Sequence, residues 1–228
     1  MANLKLNIDK AVKTHILNDG DVHRFLRPIL KNSKERAVFI KKCLKKTKTR
    51  RMLNHAHWYI EIADAQDKVK YARPALKVIF LMSLAEYIAK EVYGGNLGSE
   101  KAIQAFFKWT TKEDKEKIKN GIKRLIASRP HHSLYFRSIV NILYNVRNKA
   151  VHGEDYYSFS LPEPKYKEAH VGYDHWGLIV PGELTIKPRK RTNIRKKHRI
   201  SLDISITYEE LREIFIRTAI NGIKSLIR

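Results

Sequence analysis

The sequence predicts a mainly α-helical bundle with a small β-hairpin or sheet inserted before the C-terminal helix. Three observations predict it. Apolar residues recur at three- and four-residue steps over most of the chain, the period of a helix face. Proline and glycine punctuate those stretches at their starts and ends. One late segment, SLDISI, instead alternates Leu202, Ile204 and Ile206 with polar residues, as a half-buried strand does.

Residues 1–68 form a basic N-terminal helical region of several short helices. Within it, 31–51 holds ten Lys or Arg and a single acid, Glu35, so the segment carries far more positive charge than a solvated face needs. Val38, Phe39, Cys43 and Leu44 are interleaved at helical spacing, which predicts one basic amphipathic helix. Lys41, Lys42, Lys45, Lys46, Arg50 and Arg51 are the candidate phosphate contacts on it. A plain solvated outer face is the alternative.

Residues 69–228 form the bundle proper. Pro74 opens ALKVIFLMSLAEYIAKEVYG, apolar nearly all round and stopped by Gly94 and Gly95, which predicts a central helix with Glu86 inside it. A helix from Ser99 to about Trp109 follows, then one capped at Thr110 or Thr111 and running to about Ala127. After Pro130 a further helix starts near Ser133, with His131-His132 marking its entry, and runs to a stop at Gly153. Phe136, Ile139, Val140, Leu143, Val146 and Ala150 are its core stripe. Asn141, Asn145, Asn148 and His152 form a second stripe, within about 60° of one another on an ideal helix. A row of amides ending in an imidazole suits a cleft and not a core.

From 154 to 199 the helical period stops. LIVPGELTI predicts a hairpin about Pro181-Gly182, and with SLDISI it bounds the β insertion at about 175–206. Between them 187–199 carries eight Lys or Arg and no acid. Arg189, Lys190, Arg191, Arg195, Lys196 and Lys197 are its candidate phosphate contacts. Thr207 with Glu210 is a capping box that starts the last amphipathic helix.

The charge narrows the function. Forty-six basic residues against 23 acidic give a net +23. A fold does not need that excess, which opposes compaction by self-repulsion. Polyphosphate supplies the missing counter-charge, so the expected partner is a nucleic acid. An anionic membrane is disfavoured because the charge is scattered and not gathered on one aromatic-anchored helix. The most apolar stretch, about 78–85, is far short of the roughly 20 residues of a membrane span, and the first residues lack the apolar core of a secretory signal. With a lone cysteine, Cys43, the chain is expected in the cytoplasm.

At 147–153 the sequence reads RNKAVHG. Arg and His stand at comparable spacing elsewhere, as in Arg50 with His55 and Arg191 with His198. Only Arg147 is followed by Asn, ends a long apolar helix and is closed by glycine. This segment resembles the motif of the HEPN superfamily, Arg then four to six residues then His. By element order the resemblance extends over roughly residues 70 to 228, the strand-containing insertion excepted. It implies a HEPN-like helical bundle, commonly dimeric, and for many members a metal-independent ribonuclease acting in toxin, phage-defence or RNA-processing systems. It implies catalytic roles for Arg147, Asn148 and His152, with Glu86 on the neighbouring helix, no metal or other cofactor, a homodimer with a composite site, and a possible antitoxin or regulatory partner.

The chemistry stands without the resemblance. RNA carries its own nucleophile, the 2′-hydroxyl. Cleavage then needs a base, an acid and a cation for the phosphorane. Imidazole titrates near neutral pH, so His152 can serve as base or acid, and the negative end of the helix dipole favours its charged form. Arg147 offers a fork of donors to phosphate and Asn148 can orient it. Arg147 and His152 point about 140° apart on an ideal helix, which leaves room for a two-fold partner to complete the site. The bland readings are a C-capping His152, a structural Glu86–arginine pair, and a non-catalytic RNA-binding bundle. His55-Ala-His57 is expected to be a surface or RNA-facing pair and not a metal site. Trp58, Trp109 and Trp176 are expected in the core, with Trp176, beside His175, the candidate for base stacking.

Overall fold

The computed structural model describes residues 20–68, 73–126, 129–151, 159–162, 172–174, 177–179 and 201–227. The first helices are α1 (Gly20–Leu26), α2 (Ser33–Leu44) and α3 (Thr47–Ala65), with a 3-10 turn at Gln66–Lys68. The single basic helix expected over 31–51 is therefore two. The chain breaks at Lys46, which is extended at φ −119°, ψ 131°. Neither proline nor glycine makes this break. The buried Thr49 hydroxyl satisfies it by donating to the Cys43 carbonyl at 2.7 Å, with the Lys46 carbonyl at 3.1 Å. Phe39, Cys43 and Leu44 point into the core as expected, whereas Val38 does not and is exposed.

Helix α4 (Arg73–Tyr93) is central, packing against α3, α5 (Ser99–Phe106), α7 (Phe136–Val151) and α8 (Tyr208–Lys224). Val78, Leu81, Met82, Leu84, Ala85, Ile88 and Ala89 are all buried along it. Full burial of one such Leu or Ile side chain contributes about 1.5–3 kcal/mol. Gly94 ends α4 at φ +107°, a left-handed conformation that only glycine adopts cheaply, and its amide reaches the Lys90 carbonyl. A 3-10 turn at Phe107–Trp109 follows α5, and Thr111 caps α6 (Lys112–Gly121).

Helix α6 stops six residues short of the expected end. At Ile122 the chain turns into β1 (Ile122–Ile126), paired antiparallel with β5 (Ser201–Ile204) and with β2 (Arg129–Ser133). The Gly121 carbonyl accepts from the amides of Ser205 and Ile206, which commits the chain to the sheet. His131 and His132 thus lie in β2, and do not open α7. Strand β5 is the expected SLDISI strand. A second small sheet pairs β3 (Gly172–Asp174) with β4 (Gly177–Ile179), and the expected Pro181-Gly182 turn lies outside the described residues.

Buried side chains from α1–α3 and from α4–α8 form one hydrophobic cluster. Phe106, Phe107 and Phe136 bring α5, its 3-10 turn and α7 onto Phe215 of α8, with ring centroids 5.4–5.6 Å apart. The capping box of α8 is present, Thr207 and Glu210 bonding reciprocally. Asp64 of α3 is clamped to α8 by a forked bond from Arg212 and by the Tyr208 hydroxyl, which donates at 2.6 Å. Among the described residues, no helix is long and apolar enough to cross a membrane.

Candidate active site

The core stripe of α7 (Ile139, Val140, Leu143, Val146) is buried against the bundle, so the residues flanking it lie at the edge of the α4–α5 contact. Arg147 follows Val146 there and meets Glu86 of α4. Its Nη2 donates to Glu86 Oε2 at 3.1 Å, and its Nη1 donates to Asn148 Oδ1 at 2.9 Å. The other Glu86 oxygen accepts from Lys90 Nζ at 2.6 Å, one helical turn along α4, and from Ser99 Oγ at 2.7 Å. Ser99 begins α5, so one carboxylate joins three helices.

Glu86 and Arg147 are mostly buried, with side chains 13% and 21% exposed. Burial pushes the Glu86 carboxyl up, but the Lys90 and Ser99 hydrogen bonds and the Arg147 and Lys90 charges outweigh it and hold the pKa below the usual range. Two cations face one carboxylate, so the cluster keeps a net positive charge. The Arg147 Nε is buried with no acceptor, while each of its Nη atoms carries a second hydrogen. The arrangement holds a partly exposed guanidinium in one orientation, as a site for a phosphate oxygen requires.

The amide stripe is half-buried. Asn141 Oδ1 accepts from Gln104 Nε2 of α5 at 2.5 Å, and Asn145 and Asn148 continue the row along α7. Helix α7 is described to Val151; His152 lies outside the described residues. Of the sequence-expected catalytic set, then, the fold brings Glu86, Arg147 and Asn148 together. Lys90, Ser99 and Gln104 were not foreseen. The Glu86-Lys90 spacing of four was a readable signal, whereas Ser99 and Gln104 reach the site only through helix packing.

The phosphate-contact candidates divide. Lys41, Lys42 and Lys45 are exposed on α2 and its end. Lys46 is exposed but donates from Nζ to the Leu226 carbonyl at 2.8 Å, tying α3 to the end of α8. Arg51 is exposed and pairs with Glu91 of α4 at 3.4 Å, and Arg50 is half-buried. Arg189, Lys190, Arg191, Arg195, Lys196 and Lys197 lie outside the described residues, as do His175 and Trp176.

Two aromatic or histidine expectations change, and that for Trp109, packed against the core, holds in part. Trp58 is not in the core: it is 55% exposed. His57 is not a surface residue; its side chain is 12% exposed, against Phe25, with Glu61 Oε1 at 3.1 Å. Trp109 is half-buried and stacks on Tyr93 at 5.3 Å. Among the described residues no cluster of three or more His, Cys, Asp or Glu side chains could hold a metal ion. Cys43 is buried, and burial pushes its thiol up to about 12. Comparison of the chain with protein-family models, with curated proteins and with solved structures found no match.

Proposed function

We propose that this protein is a metal-independent endoribonuclease of the HEPN type. The observation that carries the reading is the Arg147 guanidinium, fixed by Glu86 and Asn148 in a net-positive, half-buried cluster five residues before His152. In this reading Arg147 holds the scissile phosphate. His152 takes the 2′-hydroxyl proton or protonates the leaving 5′-oxygen, and the second proton transfer falls to a group of the partner subunit or to water. The O2′–P bond forms, the P–O5′ bond breaks, and the products are a 2′,3′-cyclic phosphate and a 5′-hydroxyl. Asn148 and Glu86 set the orientation of Arg147. A homodimer with a composite site, a cytoplasmic role in defence, as a toxin or in RNA processing, and a regulatory partner belong to the same proposal.

A second reading is favoured by one feature. Both Nη atoms of Arg147 already have intramolecular acceptors, which suits a non-catalytic RNA-binding bundle in which the pair is structural. Labelled single-stranded RNA incubated with pure protein in EDTA separates the two. The enzyme reading expects cleavage to cyclic-phosphate ends, blocked by a 2′-deoxy nucleotide at the scissile position. It expects loss of roughly 10²–10⁴ in rate on His152→Ala, with RNA affinity nearly unchanged. Binding without cleavage selects the second reading, and cleavage that survives His152→Ala or needs magnesium sinks the mechanism.

A further inference from the structure

Helix α3 presents a face that the core uses only in part, through Tyr59. Lys48, Arg51, His55, Trp58 and Tyr59 follow one another at steps of three, four, three and one, within about 100° of the helix circumference. The adjoining face, with Met52, Leu53, Ala56, Ile60 and Ala63, is buried in the core. The rings on the outer face form one connected group. His55 lies 4.6 Å from Tyr87 of α4, 6.1 Å from Trp58 and 6.5 Å from Tyr59, and Tyr59 lies 6.2 Å from Tyr87. Trp58 ends this group on the solvent side, 55% exposed.

A solvent-facing indole needs an explanation, because burying it would have gained a large apolar area. Its surroundings supply one. Cationic side chains flank the rings: Arg51, with 60% of its side chain exposed, and Lys48, also exposed, precede them on the same face. Lys41, Lys42 and Lys45 stand exposed on the preceding helix and its end. The other end of the group borders the candidate active site, because Tyr87 is the chain neighbour of Glu86. Consistently, the Tyr59 hydroxyl is pushed up in pKa by burial and then by the Glu86 carboxylate. Aromatic faces joined to cations match a single-stranded nucleic acid, whose unpaired bases offer faces for stacking and whose phosphates offer negative charge. A duplex keeps its base faces covered and meets only the cations.

We infer that the Trp58–His55–Tyr59 face of α3 is a base-stacking subsite for single-stranded RNA, leading the strand from the α2–α3 lysines toward Glu86 and Arg147. The inference rests on the ribonuclease or RNA-binding reading of the neighbouring site and names its substrate class as unpaired RNA. Trp58 is the base platform, His55 supports it edgewise with Tyr59 behind His55, and Arg51 and Lys48 meet the backbone.

The test is equilibrium binding of an unstructured single-stranded RNA, the same strand with abasic positions, and an RNA duplex of equal length. Wild type is compared with Trp58→Ala and Trp58→Phe at several salt concentrations. Trp58→Ala is expected to weaken single-strand binding by roughly 5- to 100-fold, the loss of one stacked base. Duplex and abasic binding stay within about twofold, the salt slope is unchanged, and Trp58→Phe recovers most of the affinity. Because Trp58 lies outside the core, circular dichroism and the melting temperature should match wild type. A wild-type protein that binds the single strand while Trp58→Ala binds it equally well overturns the subsite and leaves the RNA reading standing. Equal loss on the abasic strand and on the duplex also overturns it, since the contact is then with backbone. Failure of wild type to bind or cleave any single-stranded RNA overturns both.

Discussion

Glu86 is the residue on which the α4–α5–α7 junction turns, since it accepts from Lys90, Ser99 and Arg147 at once. Its pKa lies below the ordinary value of 4.5, which makes it a contributor to stability. A carboxyl depressed in the folded state contributes stability that is fully present above the unfolded pKa and fades as pH falls through the folded one. Glu86→Gln should therefore destabilise the protein by about 1–3 kcal/mol at neutral pH, the range for hydrogen bonds to a charged group. The gap to wild type should hold down to about pH 5 and close below it, as the wild-type carboxyl protonates. Denaturant midpoints measured from pH 7 to pH 3 check this, and a gap independent of pH would deny the carboxylate its role. The sequence made Glu86, Arg147 and Asn148 visible through the RNKAVHG motif and through an acid set inside an apolar helix. It could not show that Ser99 meets Glu86 or that Gln104 meets Asn141, because both follow from where α5 packs on α4 and α7. It also misplaced Trp58: a tryptophan in a helix of mixed polarity reads as core, and only the orientation of α3 shows which face it occupies.

At the level of elements, local signals sufficed where punctuation was local. Pro74 with Gly94, Thr111 as N-cap, and Thr207 with Glu210 each marked a helix end that the structure contains. Two ends were not legible, for different reasons. The α2–α3 break rests on a buried threonine hydroxyl that accommodates freed carbonyls, a device with no composition bias. The end of α6 looked like continuing helix because Ile118, Ile122, Leu125 and Ile126 keep the helical period. What wins is pairing across the chain, Ile122 opposite Ile204 and Leu125 opposite Ser201, which no local window contains. Gly121 marks the switch for a steric reason as well. A Cβ there would stand 2.5 Å from the Ile206 Cβ, inside any real contact, with Ile206 backbone at 3.2 Å. Gly121→Ala must push β5 away from β1, so a loss of about 1–3 kcal/mol is expected, the usual range for overpacking. Thermal unfolding checks it against Gly95→Ala as control, since that position has nothing within 4 Å. Equal stability of the two variants would mean that β5 shifts freely.

For the whole molecule, the dominant physical fact is a net charge of +23 on 228 residues, and the fold shows where part of it stands. Several cations are already engaged: Arg36 donates to the Leu30 and Lys31 carbonyls, Lys77 pairs with Asp67, and Arg217 with Asp114. Lys41, Lys42 and Lys45 are different. They are exposed and meet no carboxylate among the described residues, so they repel one another unless an anion intervenes. If RNA phosphates are that anion, each contact releases condensed counterions, and the logarithm of affinity falls by about 0.7 per decade of salt for each phosphate neutralised on a single strand. Replacing the three lysines by glutamine should therefore flatten the slope by about two units. It should also weaken binding at low salt and leave binding at high salt almost unchanged. Deleting 187–199, which holds eight further basic residues, should flatten it again and independently. Neither change touches Glu86, Arg147 or Trp58, so the preference for unpaired over duplex RNA should survive both. Fluorescence anisotropy with a labelled oligonucleotide between 50 and 500 mM salt, about one decade, reads all of these slopes. An unaltered slope in the glutamine variant would remove α2 from the interface and return its charge to the solvent.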